Sequence, residues 1–257
     1  MLTGSLTGMA TLIGNASEQM ANAAKVSPEF YELRVYTLKN AGQQKLVEDY
    51  FQNAAIPALN RLGSKNVGVF TEQAPAGQTR VFVLIPFKSV NDFVNVTDKL
   101  VKDKTYQDAG AAYLNAPAAE PAYDRIQSSF LKAFAGMPKM EVPPKTGRMF
   151  ELRRYESATE AAGKKKIEMF NEAGEISIFK RVGLTPVFFG ETIIGEMRPN
   201  LTYMLTFDDM AEHDKNWQIF GSDPEWRRIR SLPEYPDAKI VSRITRTFLI
   251  PASCSQI

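Results

Sequence analysis

Four short segments of this 257-residue chain occur twice, in the same order. YELRVY (31–36) returns as FELRRY (150–155), and IPALNRLG (56–63) as ISIFKRVG (176–183). FVLIPF (82–87) returns as YMLTF (203–207), and RIQSSFL (125–131) as RITRTFL (243–249). The spacing stays near 118–120 residues, too long for a solenoid repeat and suited to a small domain present twice.

Each copy reads in one order. A short alternating strand precedes a helical pattern, carried in copy one by Leu46, Val47, Tyr50, Phe51, Ala54, Ala58, Leu59 and Leu62. Pro57 should kink or restart that helix, Gly174 marks a comparable break in copy two, and Gly63 and Gly183 suit C-caps. A second strand (67–72 or 187–194), a turn at 75–77 or 198–200 and a third strand make a hairpin. A second helix starts near Ser89 or Asp208, and a closing strand spans 126–131 or 240–250. The order βαββαβ is the ferredoxin-like unit, whose helices cover one sheet face and leave the other bare. Two copies can bury their bare faces against each other. The expected fold is therefore α+β, tandem ferredoxin-like repeats packed as an intramolecular dimeric α+β barrel, which could associate further as a homo-oligomer. The expected boundaries are a tail at 1–28, domains at 29–131 and 149–251, a Pro/Gly-rich linker at 132–148 and a C-terminal tail at 252–257.

The formal net charge of +2 and pI near 8.5 supply no field that would argue for nucleic acid. No run reaches the roughly 18–20 apolar residues of an integral membrane segment. The basic runs Lys164-Lys165-Lys166 and Arg227-Arg228-x-Arg230 read as solvated helix faces. The one cysteine, Cys254, allows no internal disulfide and, at a frayed terminus, reads as inert. Residues 1–25 are rich in Gly, Ser, Thr, Ala and Met and contain Ala21-Asn22-Ala23, an A-x-A-like cleavage signal. That pattern suggests export to a periplasmic or extracellular compartment; without a signal the protein would be cytoplasmic.

The repeated strands supply the first site candidates. If Leu33 and Val35 cover the helices, Glu32, Arg34 and Tyr36 face the opposite sheet, as do Glu151, Arg153 and Tyr155. Arg154, in place of Val35, departs from this alternation. The polar face is either an inter-sheet salt-bridged seam, the favoured reading, or the lining of a site for a small polar or anionic ligand. His213, the lone histidine, shares a helical face with Met210, Trp217 and Phe220; the matching copy-one residues are Val90, Phe93, Thr97 and Leu100. It is a core-edge side chain or a pocket group acting as general base beside Trp217. Asp223-Pro224-Glu225-Trp226 forms a helix start, with Asp223 as N-cap and Trp226 as a packing anchor or ligand stacker. With one histidine the spacings of a zinc site are absent, so no metal and no cofactor are expected, and a haem on a single axial histidine is a further alternative. Phosphate loops, nucleophile elbows and H-E-x-x-H are absent from the sequence.

On the opening strands 30–36 and 150–155, the helix ends at Gly63 and Gly183, and the Asp223–Trp226 start, the chain resembles the NIPSNAP family in two tandem copies. The resemblance covers roughly 30–251 apart from the linker, and copy one departs at its last motif, Asp103-Lys104-Thr105-Tyr106. It implies the dimeric α+β barrel superfamily, whose relatives include cofactor-free monooxygenases, haem enzymes and small-molecule binders, and no settled activity for NIPSNAP proteins themselves. The expected role is a small-molecule-binding or interaction module. The alternative is a cofactor-independent oxygenase with His213 as base and Trp217 and Arg153 orienting substrate; it requires a cavity beside His213.

Overall fold

A computed structural model describes residues 26–75, 77–144 and 147–257. Copy one runs β1 (Phe30–Leu38), α1 (Ala41–Tyr50), a π-helical turn at Phe51–Ala55, α2 (Ile56–Arg61), β2 (Gly68–Glu72) and β3 (Thr79–Phe87). It closes with α3 (Val90–Lys102), α4 (Lys104–Ala109), α5 (Ala111–Leu114) and β4 (Arg125–Ala133). Copy two repeats this with β5 (Met149–Glu156), α6 (Glu160–Asn171), α7 (Glu175–Arg181), β6 (Thr185–Ile194) and β7 (Asn200–Phe207). It ends with α8 (Met210–Ser222), α9 (Pro224–Arg230), α10 (Asp237–Ile240) and β8 (Arg243–Pro251). The π turn carries the helix past Pro57, which restarts α2 in its first turn, whereas Gly174, at φ +97°, breaks copy two outright. Residues 240–250 do not form one strand: the segment opens as α10, and Ser157 Oγ donates to the Ile240 carbonyl at 2.7 Å.

The strands close into one barrel in the order β1-β3-β2-β8-β5-β7-β6-β4. Each copy contributes a four-stranded antiparallel sheet, and the seams are β2–β8 and β4–β6. Closure leaves no free sheet edge. Antiparallel pairing throughout makes β1 and β5 run the same way, so both end at the same barrel mouth.

The strand faces are the reverse of the sequence expectation. Tyr31, Leu33 and Val35 point into the barrel with Phe70, Phe82, Leu84, Phe150, Leu152 and Met204. Glu32, Arg34 and Tyr36 lie under the helices of copy one; Glu151, Arg153 and Tyr155 lie under those of copy two. The two triplets therefore do not meet, and there is no salt-bridged seam between the sheets. The reason is the cost of burying charge: on the helix side Arg34 keeps 25% of its side chain exposed and the fully buried Glu151 is bonded by Arg153 and Trp217, while the apolar face fills the barrel interior. Tyr36 and Tyr155 supply the apolar contact to the helices, meeting Phe51 and Phe170 at 5.8 and 6.3 Å between ring centres.

Both flanking segments are docked. In the expected linker, Phe134 and Met137 are core residues, and Phe134 and Glu141 bond through their backbones to Phe189 and Val187 of β6. The C-terminal tail is not frayed: Gln256 and Ala252 bond to Val67 and Val69, and Ile257 closes the apolar end of the barrel interior. Cys254 is half-buried there, and burial pushes its thiol up to about 11, which leaves it unreactive. The cleavage-like residues 21–23 and the turn residue Ala76 lie outside the described residues. No described helix is long and apolar enough to cross a membrane.

Candidate functional site

In copy two, alternation along β5 puts Glu151, Arg153 and Tyr155 on the face that α6 to α9 cover. Glu151 is fully buried and receives Arg153 Nη1 at 3.2 Å and Trp217 Nε1 at 3.0 Å. The Arg153 guanidinium stacks 4.2 Å above the Trp217 ring. Burial works against its charge, but Tyr203, Tyr155 and Glu151 hold it charged beyond an ordinary arginine. The Tyr203 hydroxyl donates to Tyr155 at 3.0 Å, and burial raises the Tyr203 pKa well above the usual phenol range.

His213 joins this network from α8. Its Nδ1 is 2.8 Å from Asp214, while Nε2 stands 3.3 Å from Glu151 Oε2 and is too poorly aligned to bond. The ring is held between Phe207 and Phe248 at 5.0 and 5.2 Å. Copy one places Phe93 between Phe87 and Phe130 in the matching position, at 5.5 and 4.2 Å, edge-on to the first and stacked on the second. His213 thus occupies a position whose geometry a phenylalanine satisfies. An axial haem ligand would have to expose Nε2, which here faces Glu151, so the residues do not fit that group.

In copy one Glu32 accepts from Arg34 Nε and Ser128 Oγ, both at 2.7 Å. Tyrosines replace the copy-two helix-layer groups: the Tyr50 and Tyr106 hydroxyls are 2.7 Å apart, and Tyr113 donates to Tyr36 at 3.3 Å. Trp226 is a packing anchor, buried and tilted against Phe220 with ring centres 4.4 Å apart. The last motif of copy one keeps the construction of copy two despite its different letters. Asp103 caps α4 and takes Arg61 of α2 at 2.5 Å, as Asp223 caps α9 and takes Arg181 of α7 at 2.7 Å. Trp226 and Tyr106 follow at the same position.

Among the described residues, five cavities of 250–720 Å³ stand out, and none is lined by His213, Trp217, Trp226 or either Glu-x-Arg-x-Tyr triplet. Two of them, of 720 and 370 Å³, meet at Ile167 and Glu191 and make one groove between α6 and β6. One end is walled by Phe134, Ala135, Pro138 and Val26 with Lys132; the other carries Gly163, Lys164 and Arg198 with Glu160. The NIPSNAP family model matches residues 31–138 and again 150–256.

The chain belongs to the NIPSNAP family.

Two solved structures share the fold, and a third matches part of the chain. A presumed monooxygenase of Fusobacterium nucleatum is 10% identical over 88% of this chain and 93% of its own, at a TM-score of 0.56. One from Lactobacillus acidophilus is 8% identical over 88% and 94%, at 0.55. An uncharacterized NIPSNAP-like domain protein of Burkholderia xenovorans is 20% identical over 42% of this chain and 87% of its own, at 0.37. No curated protein matches the sequence.

Sequence reasoning missed one charged pair in this NIPSNAP chain. Lys166, read as solvated, is buried and pairs with buried Glu175 at 3.1 Å, ringed by Phe170, Tyr155 and Trp226 at 4.9–5.6 Å. Arg227, Arg228 and Arg230 are exposed as expected. Burial raises the Glu175 pKa and Lys166 opposes the shift. The signal was available: Lys166 stands eleven residues beyond Tyr155, where copy one has the buried Val47 eleven beyond Tyr36.

Proposed function

We propose that this protein is a small-molecule-binding module whose ligand is an elongated amphipathic anion held in the groove between α6 and β6. The observation that supports this reading is the groove itself: it is large, apolar at one end, and bears Lys164 and Arg198 beside Glu160 and Glu191 at the other. Glu160 to Asn171 spans about 16 Å at 1.5 Å per residue, the length of a medium acyl chain with its headgroup. Its larger section, 720 Å³, falls within the range of about 300–1,000 Å³ usual for ligand sites. Neither Lys164 nor Arg198 has a carboxylate partner among the described residues, so both are available to an anionic headgroup.

None of the five cavities is lined by His213, so none supports the oxygenase reading with His213 as base. Its ring packs edge-to-face with Phe207 and Phe248, Nδ1 lies against Asp214, and Nε2 faces the buried Glu151 without bonding it. The folds of the presumed monooxygenases carry no reaction over to this chain at such low identity.

Titration of a dansyl-labelled fatty acid, with decanoate as competitor, tests the proposal. Saturable, competed binding is expected, weakened about tenfold or more by Ile167→Asp, which puts a charge into the apolar section. Lys164→Ala and Arg198→Ala should each weaken it about three- to tenfold. Absence of saturable binding, or indifference to Ile167→Asp in a normally folded variant, would overturn it.

A further inference from the structure

The barrel interior is apolar at the Ile257 end and polar at the mouth where β1 and β5 end. A cavity of 270 Å³ opens there beside the β4–β6 seam, with Leu33 and Val35 as its floor. Its walls carry Ser129, Arg154, Thr202 and Glu196, drawn from both copies. The β6–β7 turn comes down over it: Gly195, at φ +148°, lies so close to Ser129 that a Cβ would stand 2.5 Å from its Oγ. Gln127 ties the turn down by donating to Glu196 at 3.0 Å.

Arg154 is the residue that breaks the repeat, since copy one has Val35 at the matching position. Its Nε and Nη2 both go to one oxygen of Glu156, at 3.1 and 3.0 Å, which leaves Nη1 with no protein partner among the described residues. The hydroxyls of Ser129 and of buried Thr202 likewise have no protein partner there. Beside the opposite seam, Arg80 of β3 and Glu72 of β2 pair with each other within copy one at 2.9 Å. The charges beside that seam are therefore spent on each other, whereas the β4–β6 seam holds unspent donors around a partly open cavity.

We propose that this barrel mouth binds a small carboxylate that also carries a hydroxyl or amino group, with the carboxylate on Arg154 and Thr202 and the second group on Glu196. The size sets the class. The cavity lies below the roughly 300–1,000 Å³ of drug-sized sites, so it admits a molecule of hydroxy-acid or amino-acid dimensions. The chemistry sets the ends: a guanidinium with a free Nη1 takes a carboxylate, and the Glu196 carboxylate takes a donor. This site is separate from the groove between α6 and β6 and does not depend on it.

Calorimetric titration of the full chain with L-serine, glycolate and acetate tests it. Serine or glycolate should bind saturably, and acetate, which lacks the second group, about tenfold more weakly. Serine-only and glycolate-only binding would separate an amino from a hydroxy carboxylate. Arg154→Val, which installs the copy-one residue, should weaken binding about tenfold or more, and Thr202→Val, nearly isosteric, about fivefold. Circular dichroism keeps a folding failure from passing for a loss, and Ile167→Asp should leave serine and glycolate binding unchanged. No saturable heat with either ligand, or wild-type affinity in both Arg154→Val and Thr202→Val, would overturn the proposal.

Discussion

At the residue scale, the two copies act as controls for each other. His213 and Phe93 stand in matching positions between two aromatic rings, so His213→Phe should fold with stability within about 1.5 kcal/mol of the parent, read by urea denaturation. A larger loss would show that the ring's link to Glu151 carries weight. Lys166 and Glu175 stand where copy one has Val47 and Ala55. Breaking this buried pair by Lys166→Met or Glu175→Ala alone should cost about 3–5 kcal/mol, because an unpaired charge remains in the core. The double variant should recover most of that loss, and a double as unstable as the worse single would contradict this reading. The alternation of charged and apolar letters in YELRVY was legible, but not which face was inside. A strand with polar and apolar faces fits either a wet helix layer or a wet barrel. Where the charges could be bonded or left partly exposed, which a single strand does not report, decided it.

At the scale of elements, the two aspartate caps tie the short helices α4 and α9 to the ends of α2 and α7. Hydrogen bonds from Arg61 and Arg181 hold Asp103 and Asp223 below the ordinary aspartate value of 3.8. A depressed folded-state pKa gives stability that is present above the unfolded value and is lost as pH falls through the folded one. Stability should therefore drop below about pH 4, and Asp103→Asn with Asp223→Asn should flatten that drop, measured as melting temperature against pH. An unchanged acid slope would show that other carboxylates carry it. Copy one's cap was hidden in the sequence because only the aspartate and the aromatic three residues on are kept; the arginine that completes it comes from another helix. The C-terminal tail was likewise misread, since a short polar segment gives no sign of the strand it docks against. Ile257→Ala should cost about 2–5 kcal/mol in urea denaturation, as a buried isoleucine at the end of the barrel core.

At the scale of the whole molecule, the duplication and the barrel were legible because four ordered echoes and the bare face of a βαββαβ unit leave few alternatives. The groove was not legible. Its walls come from α6, β6, the 132–138 segment and residues 26–28, which are far apart in the chain and share no motif. The Glu-x-Arg-x-Tyr networks, conspicuous in sequence, turn out to be closed and buried, and they fasten helices to sheet. The central claim is that ligand binding belongs to the groove and not to those networks. Backbone and indole NMR shifts during a decanoate titration test it most directly. The account predicts shifts concentrated in 160–171 and 189–192, with the Trp217 indole unmoved; shifts centred on Trp217, His213 and Arg153 would contradict it.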